Sequence, residues 1–304
     1  MTPSFQKSRI FGLGTVVVDH QVFLDQFPAP DTKGEILEDR YQVGGPVPTA
    51  LTLLSKWGYN ASFQGVWAQD LYGEMIEKDL LAHGIHFQHP PLEEGLKSGF
   101  AHVWVERSSG RRTIACHRGN SFIVSDLLDS GSIANAGVLL LDGWSGQAAI
   151  KAAQIVKSNG GKVFMDLGSP KPALEELLAL VDHLNCPEGL LKKLFPNASL
   201  AQGAKKLLSM GPREITITQG DDGAWHFCAG CSFHQPAFPI VAVDTNGAGD
   251  VFSAALIHGA LTGMMPKEKL RFASAVSALK CQMLGNRESL PQLKEVESFL
   301  IQAH

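Results

Sequence analysis

The sequence lacks the features that mark several large classes of protein. It contains no run of lysine or arginine and its formal net charge is −4, so the electrostatic signature of a nucleic-acid-binding protein is missing. No stretch reaches the roughly 18 consecutive apolar residues of a membrane-spanning helix. The segment from Met1 to Ile10 contains no apolar signal core. These absences predict a cytoplasmic protein with neither nucleic acid nor membrane as a partner.

Cysteine is also scarce, with five residues among 304. So few cysteines in a chain of this length do not suggest a disulfide framework. We interpret the CxxC pair of Cys228 and Cys231 as isolated, with no second pair and no histidine partner. A structural zinc site or a redox role is therefore not expected there.

Two common nucleotide-binding patterns are incomplete or missing. Gly12 and Gly14 follow a short apolar run, but the third glycine of a GxGxxG loop is absent and a β-branched run begins at Thr15, where a helix should start. The P-loop string GxxxxGK[ST] does not occur. The sequence therefore lacks the motifs that would indicate an NAD-linked oxidoreductase or another common nucleotide-binding fold.

The chain does contain enough apolar material for a large core. Hydrophobic residues make up 44% of the sequence and charged residues 18%, which is typical of a globular protein. From Gly137 onward, strand-like apolar runs alternate with helical runs, which favours a parallel sheet with helices on both faces. The sequence thus predicts a single α/β domain over residues 1–304.

The most informative stretch runs from Val243 to Phe252. It joins an extended-looking apolar run to a long helical run, so Gly247, Ala248 and Gly249 would lie where a helix begins. Small residues let a ligand approach the backbone, and the free N–H groups of a first helical turn attract anions. Asp250 lies beside them, where a general base could take a proton from a hydroxyl that attacks a phosphoryl group. A glycine turn with Asp250 as a capping residue is the structural alternative.

The string Asp-Thr-x-Gly-Ala-Gly-Asp, from Asp244 to Asp250, resembles the C-terminal signature of the ribokinase-like (phosphofructokinase-B) carbohydrate kinases at every fixed position. The resemblance implies a three-layer α/β/α domain with a mostly parallel central sheet and a small β-strand lid. It also implies that Asp250 is the catalytic base and that the backbone of 247–249 forms an anion hole. ATP is then the phosphoryl donor, with Mg²⁺ as the cofactor.

The family's sugar-binding motifs have counterparts in the first half of the chain. Asp19 resembles a carboxylate that holds two sugar hydroxyls, and a carboxylate can accept several hydrogen bonds at once. Gly44 and Gly45 resemble a Gly-Gly pair before a helix, and Thr49 replaces the sugar-binding asparagine of that motif. Asp142 aligns with a further sugar-contacting carboxylate. A solvated turn residue is the alternative for Asp19.

The nucleotide-binding motifs follow in the family's order. Asn185 and Glu188 resemble its Asn-x-x-Glu motif, whose carboxylate orders magnesium through water; this suits a hard ion that keeps several waters. Thr218, Gly220 and Gly223 resemble its Thr-x-Gly-x-x-Gly motif, which binds nucleotide phosphate and ribose. A simple hairpin with an Asp-Gly turn is the structural alternative for the second motif.

Ser274 and Asp244 are two further candidate binding residues. Ser274 lies on a predicted helix of small residues that would line an adenine pocket, and a packed core helix explains the same pattern equally well. Asp244, together with the carbonyls near Cys281 and Gly285, would hold a monovalent cation such as potassium, which the family often uses.

Short strand-like runs outside the α/β pattern fall in the segments of about 15–43 and 98–118. In the resembling family such strands form a lid over the sugar and often the contact of a homodimer. A closing lid would exclude water, which competes with the sugar hydroxyl for the γ-phosphate.

The sequence therefore predicts ATP-dependent phosphoryl transfer to a hydroxymethyl group of a sugar or sugar-like alcohol. Thr49, and Val17 at a second polar contact of ribokinases, make ribose less expected. A Val-Val-x-Asp run and a late Ala-x-x-Lys-Cys pattern resemble ketohexose kinases, so fructose-like substrates are the first to test.

A nucleoside kinase of the same family is the near alternative. A non-catalytic nucleotide- or sugar-binding regulator is the alternative from another class, and the intact base and anion hole argue against it.

Overall fold

The computed structural model describes residues 9–89, 94–108, 112–117, 119 and 123–303. Within these ranges the chain forms thirteen strands in two sheets and ten α-helices. The strands are β1 (Arg9–Leu13), β2 (Val17–Leu24), β3 (Glu38–Gly44), β4 (Asn60–Gln64), β5 (His86–Phe87), β6 (Gly99–Glu106), β7 (Arg112–His117), β8 (Val138–Leu141), β9 (Lys162–Asp166), β10 (His183–Pro187), β11 (Glu214–Thr218), β12 (Ala224–Cys228) and β13 (Cys231–Gln235). The helices are α1 (Pro46–Lys56), α2 (Leu71–Ala82), α3 (Ser130–Ala134), α4 (Gly146–Ser158), α5 (Leu174–Leu178), α6 (Glu188–Leu194), α7 (Leu200–Ser209), α8 (Ala248–Leu261), α9 (Pro266–Cys281) and α10 (Leu293–Gln302).

The larger sheet has nine strands in the order β13-β12-β11-β10-β9-β8-β1-β4-β5. Its strands pair in parallel from β11 to β5, while β12 and β13 are antiparallel at one edge. Parallel neighbours need crossover connections, and helices in these crossovers cover both faces of the sheet. The mostly parallel α/β architecture expected from the alternating sequence pattern is confirmed. Among the described helices, none is long and apolar enough to cross a membrane.

Successive residues of the central strands enter two different cores. Ile10 of β1 packs with the core formed by α1, α2, α8, α9 and α10, whereas its neighbour Phe11 packs with the core formed by α3 to α7. The same alternation divides Leu140 from Leu141 in β8. Because successive side chains of a strand point to opposite faces, a strand buried on both faces carries an unbroken apolar run. The result is a helix–sheet–helix sandwich of three layers.

The second sheet has four strands in the order β3-β2-β6-β7. Here β2 pairs in parallel with β6, and the other two pairings are antiparallel. These strands lie within the segments 15–43 and 98–118, from which the sequence predicts the lid. Closure of this sheet over a sugar and a homodimer formed through it stay predictions.

The interpretation of Cys228 and Cys231 as isolated is wrong. The two residues face each other across the turn of the β12–β13 hairpin and form a disulfide. The side chain of His226 lies on the same face of β12, and its ring and the two sulfurs lie within 4.8 Å of one another. The two-residue period of a strand places His226 and Cys228 on one face, so the spacing could have revealed this neighbour. Burial lowers the pKa of His226 to about 4, which keeps the ring neutral at physiological pH.

Candidate active site

The predicted anion hole lies at the start of α8. Gly247 is the N-cap residue with φ 77°, and a Cβ at this position would approach Asn286 Oδ1 to 2.5 Å, so both conformation and space favour glycine. Among the described residues, no acceptor binds the N–H groups of Gly247 and Gly249, whereas the N–H of Ala248 reaches Thr245 O at 3.3 Å. The extended-looking run before this turn joins neither sheet. Two of the three predicted amides are therefore free to bind an anion.

Asp250 is half-buried in the first turn of α8. Burial raises the pKa of its carboxyl group to about 6, while the positive charges of Arg287 and Lys280 and a hydrogen bond from the Thr49 hydroxyl act in the opposite direction. A carboxylate with a raised pKa is a stronger base than an ordinary aspartate and is still mostly ionised at neutral pH. The side chain is thus suited to accept a proton from an alcohol.

Thr49 is fully buried beneath this carboxylate. Its hydroxyl oxygen accepts hydrogen bonds from Asn286 Nδ2 at 3.2 Å and from a terminal nitrogen of Arg287 at 3.1 Å, and hydrogen bonding by this hydroxyl lowers the pKa of Asp250. The contact of Thr49 with a sugar stays a prediction. Its observed partners indicate that it orients the base from below.

Arg287 and its partner are residues that sequence reasoning missed. Two nitrogens of the guanidinium group bind the carboxylate of Asp79 in α2 at 2.9 to 3.2 Å. Neither residue belongs to a local motif, and 208 positions separate them in the chain. Such a pair forms only when the fold brings α2 to the segment between α9 and α10.

Asp19 reaches the same site from the second sheet. Burial and the negative charge of Asp250 together raise the pKa of its carboxyl group to about 6, against the opposing effect of a hydrogen bond from Asn246. A Cβ on Gly44 would come within 2.8 Å of Asp19 Oδ2, and a Cβ on Gly45 would collide with a backbone carbonyl. The two glycines therefore let β3 and the start of α1 pass close to this carboxylate. Binding of sugar hydroxyls by Asp19, Gly44 and Gly45 stays a prediction.

The carboxylate of Asp142 is bound by groups of the protein itself. The residue is buried just after β8, where its Oδ2 accepts hydrogen bonds from the backbone N–H and the hydroxyl of Thr15, both at 2.7 Å. Its Oδ1 accepts from the backbone N–H of Trp144 at 3.0 Å. These contacts anchor the loop after β1, and they favour a structural role over the predicted sugar contact, which stays untested.

A chain of polar side chains runs beneath Asp250. The hydroxyl of Ser253 donates to Asp166 Oδ2 at 2.7 Å, and Asn185 Nδ2 donates to that hydroxyl at 2.9 Å. Burial raises the pKa of Asp166 to about 7, and the charge of Asp250 contributes in the same direction. Sequence reasoning did not select Asp166 as a site residue, although its position at the end of β9 was a usable signal, because ligands bind at the carboxyl ends of parallel strands.

A cavity of about 520 Å³ lies beside the anion hole, between the β11–β12 hairpin and helices α8 and α9. This volume is within the usual range for small-molecule sites, roughly 300–1,000 Å³. The hydroxyl oxygen of Ser274 is buried there without a hydrogen-bond partner, which is the condition of a polar group that a ligand completes. The structure therefore brings the predicted nucleotide-binding residues to one cavity, except Asn185, which lies among the polar side chains below Asp250. The predicted residues that line the cavity are Thr218, Gly220, Gly223, Ala248, Gly249 and Ser274.

Gly223 gives a test of how this cavity is built. We expect Gly223→Ala to lower the free energy of unfolding and to weaken ATP binding, because its φ is 96° and a Cβ would collide with Gln235 O and lie 2.7 Å from Ala237 N. A residue with a Cβ in such a sparsely populated backbone conformation costs about 1–3 kcal/mol. Gly230→Ala is the matched control, since φ is 79° there and the space around a Cβ is open. Denaturant unfolding of both variants measures the difference, and equal losses would show that the collision does not matter.

Comparisons with known proteins identify the family of this chain. A family model described as pfkB family carbohydrate kinase matches residues 7–293. The ribokinase of Haemophilus influenzae is 26% identical over 95% of this chain and 97% of its own length. The ketohexokinase of Mus musculus is 24% identical over 92% of this chain and 98% of its own length.

A solved structure shows the same fold. The structure of Arabidopsis thaliana ribokinase complexed with ribose and ATP superposes with a TM-score of 0.83 at 26% identity, covering 97% of this chain and 99% of that one. The predicted family and its ribokinase-like α/β fold are confirmed. Because the family model spans nearly all of the sequence, the chain belongs to the pfkB family of carbohydrate kinases.

Proposed function

We propose that this ATP-dependent kinase transfers the γ-phosphoryl group to a hydroxymethyl group of a sugar or sugar-like alcohol, with ketohexoses as the first substrates to test. The observation that carries this proposal is the position of Asp250. Its carboxylate, with a raised pKa, lies beside the unpaired amides of Gly247 and Gly249 and next to a cavity of nucleotide size.

Each group in the site supplies a separate part of the reaction. Asp19 accepts hydrogen bonds from the sugar hydroxyls and so orients the attacking alcohol. Asp250 takes the proton of that alcohol as the new O–P bond forms and the bond between the γ-phosphorus and the ADP oxygen breaks, which releases ADP. The free amides of Gly247 and Gly249 stabilise the negative charge on the transferred phosphoryl group. Thr49 keeps the base in place through its hydroxyl.

The residues on the nucleotide side fit magnesium. Glu188 presents a half-buried carboxylate at the start of α6, where it pairs with Lys192 at 3.0 Å. The Oδ1 atom of Asn185 is buried without a hydrogen-bond partner, and Asp166 lies in the same polar chain. Oxygen donors of this kind suit Mg²⁺, which keeps part of its water shell. Bound there with ATP, the ion would neutralise charge on the phosphates.

The pKa of Asp250 predicts the pH dependence of the reaction. The base must be ionised to accept a proton, so kcat/KM for the sugar should be level near neutral pH and fall as the pH drops below about 6. If Asp19 must also be ionised, the decline will be steeper than one proton requires, because its pKa is also about 6. Initial rates in a constant-ionic-strength buffer series measure the profile. Full activity at about pH 5 would contradict the assignment.

The acceptor substrate can be identified by direct assay. The similarities to a ribokinase and to a ketohexokinase are nearly equal, so overall identity does not choose between a pentose and a ketohexose. Measurement of ADP release against ketohexoses, pentoses, sugar acids and nucleosides would decide. We expect the highest kcat/KM with a ketohexose-type substrate. A preference for nucleosides would favour the alternative within the family, and nucleotide binding without any transfer would favour a non-catalytic regulator.

A further inference from the structure

The turn that leads into the anion hole begins at Asp244, which the family resemblance implies as a ligand of potassium. In the structure, Asp244 Oδ1 accepts a hydrogen bond from the N–H of Asn246 at 2.9 Å, and Oδ2 accepts one from the N–H of Gly285 at 3.1 Å. Both oxygens of the carboxylate are thus engaged by the backbone. The turn is held in shape by the protein's own donors.

The carbonyl groups expected to complete the cation site are engaged as well. Cys281 O accepts hydrogen bonds from the N–H groups of Val243 at 2.7 Å and Asp244 at 3.2 Å. Gly285 O accepts a hydrogen bond from the hydroxyl of Ser289. These contacts are of the kind that satisfies buried carbonyls without an ion.

The positive charge directly beside Asp244 comes from Lys280, near the end of α9. The side chain is completely buried, with 0% of it exposed to solvent, and its ammonium nitrogen donates to Asp244 O at 3.0 Å and lies 3.7 Å from Asp244 Oδ2. A buried ammonium persists when it is paired and hydrogen-bonded, and it carries the same single charge as a potassium ion.

We propose that the ammonium group of Lys280 takes the place of the monovalent cation, so that the Asp244 turn and the anion hole after it form without potassium. The residues present do not fit a separate ion, because the charge is already supplied by a side chain joined to the protein. Because the ammonium group is covalently attached to the chain, no free energy is spent on binding an ion from solution. The structural part of this inference concerns the turn alone, and its effect on turnover rests on the proposed kinase function.

The wild-type protein provides the first test. After exchange into a tetramethylammonium buffer, Tm is measured without ATP while potassium replaces tetramethylammonium at constant ionic strength. We expect Tm to stay unchanged, and turnover under the same series to change by less than about twofold, since no ion-binding step is linked to folding. A Tm that rises and saturates with potassium, or strong activation by it, would overturn the proposal.

Two variants of the lysine provide the second test. Lys280→Ala removes the charge and opens space, and Lys280→Gln keeps most of the side-chain stem without the charge. In tetramethylammonium we expect a lower Tm and a loss of turnover of about tenfold or more, because buried oxygen atoms lose their partner. Potassium or methylammonium should raise the Tm of Lys280→Ala in a saturable manner and restore part of its turnover.

The controls separate this inference from the proposed function. Lys205→Ala removes an exposed lysine of α7 and should leave both Tm and turnover as in the wild type. Absence of transfer to every acceptor tested would defeat the proposed function, while the Tm series would still decide the role of Lys280. Wild-type Tm and turnover in both Lys280 variants would overturn the inference. If neither variant folds, the potassium series on the wild-type protein gives the decision.

Discussion

Replacement of Asp250 by asparagine is expected to lower turnover by about 10²- to 10⁴-fold, the usual contribution of a general base. Asparagine has nearly the same shape and can still accept the hydrogen bond from Thr49, so the anion hole and the nucleotide cavity should remain intact. ATP binding, measured by calorimetry, should therefore change little while the rate of ADP release collapses. The loss would then reside in kcat, as expected for a group that acts in the transition state.

The Asp250→Asn variant should also change the pKa values of the neighbouring carboxyl groups. The negative charge of Asp250 raises the pKa of both Asp19 and Asp166, so its removal should lower both values. Carboxyl ¹³C NMR titration would measure these shifts and would show that the variant is folded. Asp126→Asn, at an exposed position outside the site, is the matched control and should behave as the wild type. Near-normal turnover of Asp250→Asn would defeat the assignment of the base.

The Arg287–Asp79 pair is expected to give the largest effect on stability. The side chains are 9% and 14% exposed, so Arg287→Met would leave the carboxylate of Asp79 without its arginine partner in a largely dehydrated setting. Breaking a buried ion pair from one side costs about 3–5 kcal/mol, and the residual exposure of this pair favours the lower end of that range. Denaturant unfolding at neutral pH measures the change.

A second readout of Arg287→Met comes from the pH profile. The positive charge of Arg287 lowers the pKa of Asp250, so its removal should raise that pKa further. The acid limb of kcat/KM should consequently move to higher pH. A purely structural role would lower stability without this displacement.

Arg40 offers the matched control for the stability measurement. It pairs with Glu38 at 2.7 Å, but the two side chains are 25% and 45% exposed. Exposed ion pairs contribute about 0–1 kcal/mol, so Arg40→Met should change stability little. The double variant Arg287→Met/Asp79→Leu should recover much of the loss, because no unpaired charge remains. Equal losses for the two arginine variants would show that burial of the Arg287 pair is not the cause.

The sequence determined the features that depend on contiguous residues. The alternation of apolar strand and helix runs after Gly137 determined a parallel α/β sheet, since a strand buried on both faces must be apolar throughout. The string from Asp244 to Asp250 determined the helix start with its small residues and its carboxylate. The cluster of Thr218, Gly220 and Gly223 likewise specified the turn of a hairpin, because backbone conformation is encoded locally.

Only the tertiary structure decided how distant side chains share hydrogen bonds and charge. Thr49 occupies the position of a sugar-binding residue in the sequence motif, yet it is fully buried and its hydroxyl accepts hydrogen bonds from Asn286 and Arg287. Asp142 lies just after β8, where hydrogen bonds from Thr15 and from the backbone N–H of Trp144 engage both of its oxygens. Lys280 is an ordinary helical lysine in the sequence and becomes the buried cation beside Asp244 through the packing of α9. Pairing and burial set the charge and availability of each group, and both depend on segments that meet only in the folded chain.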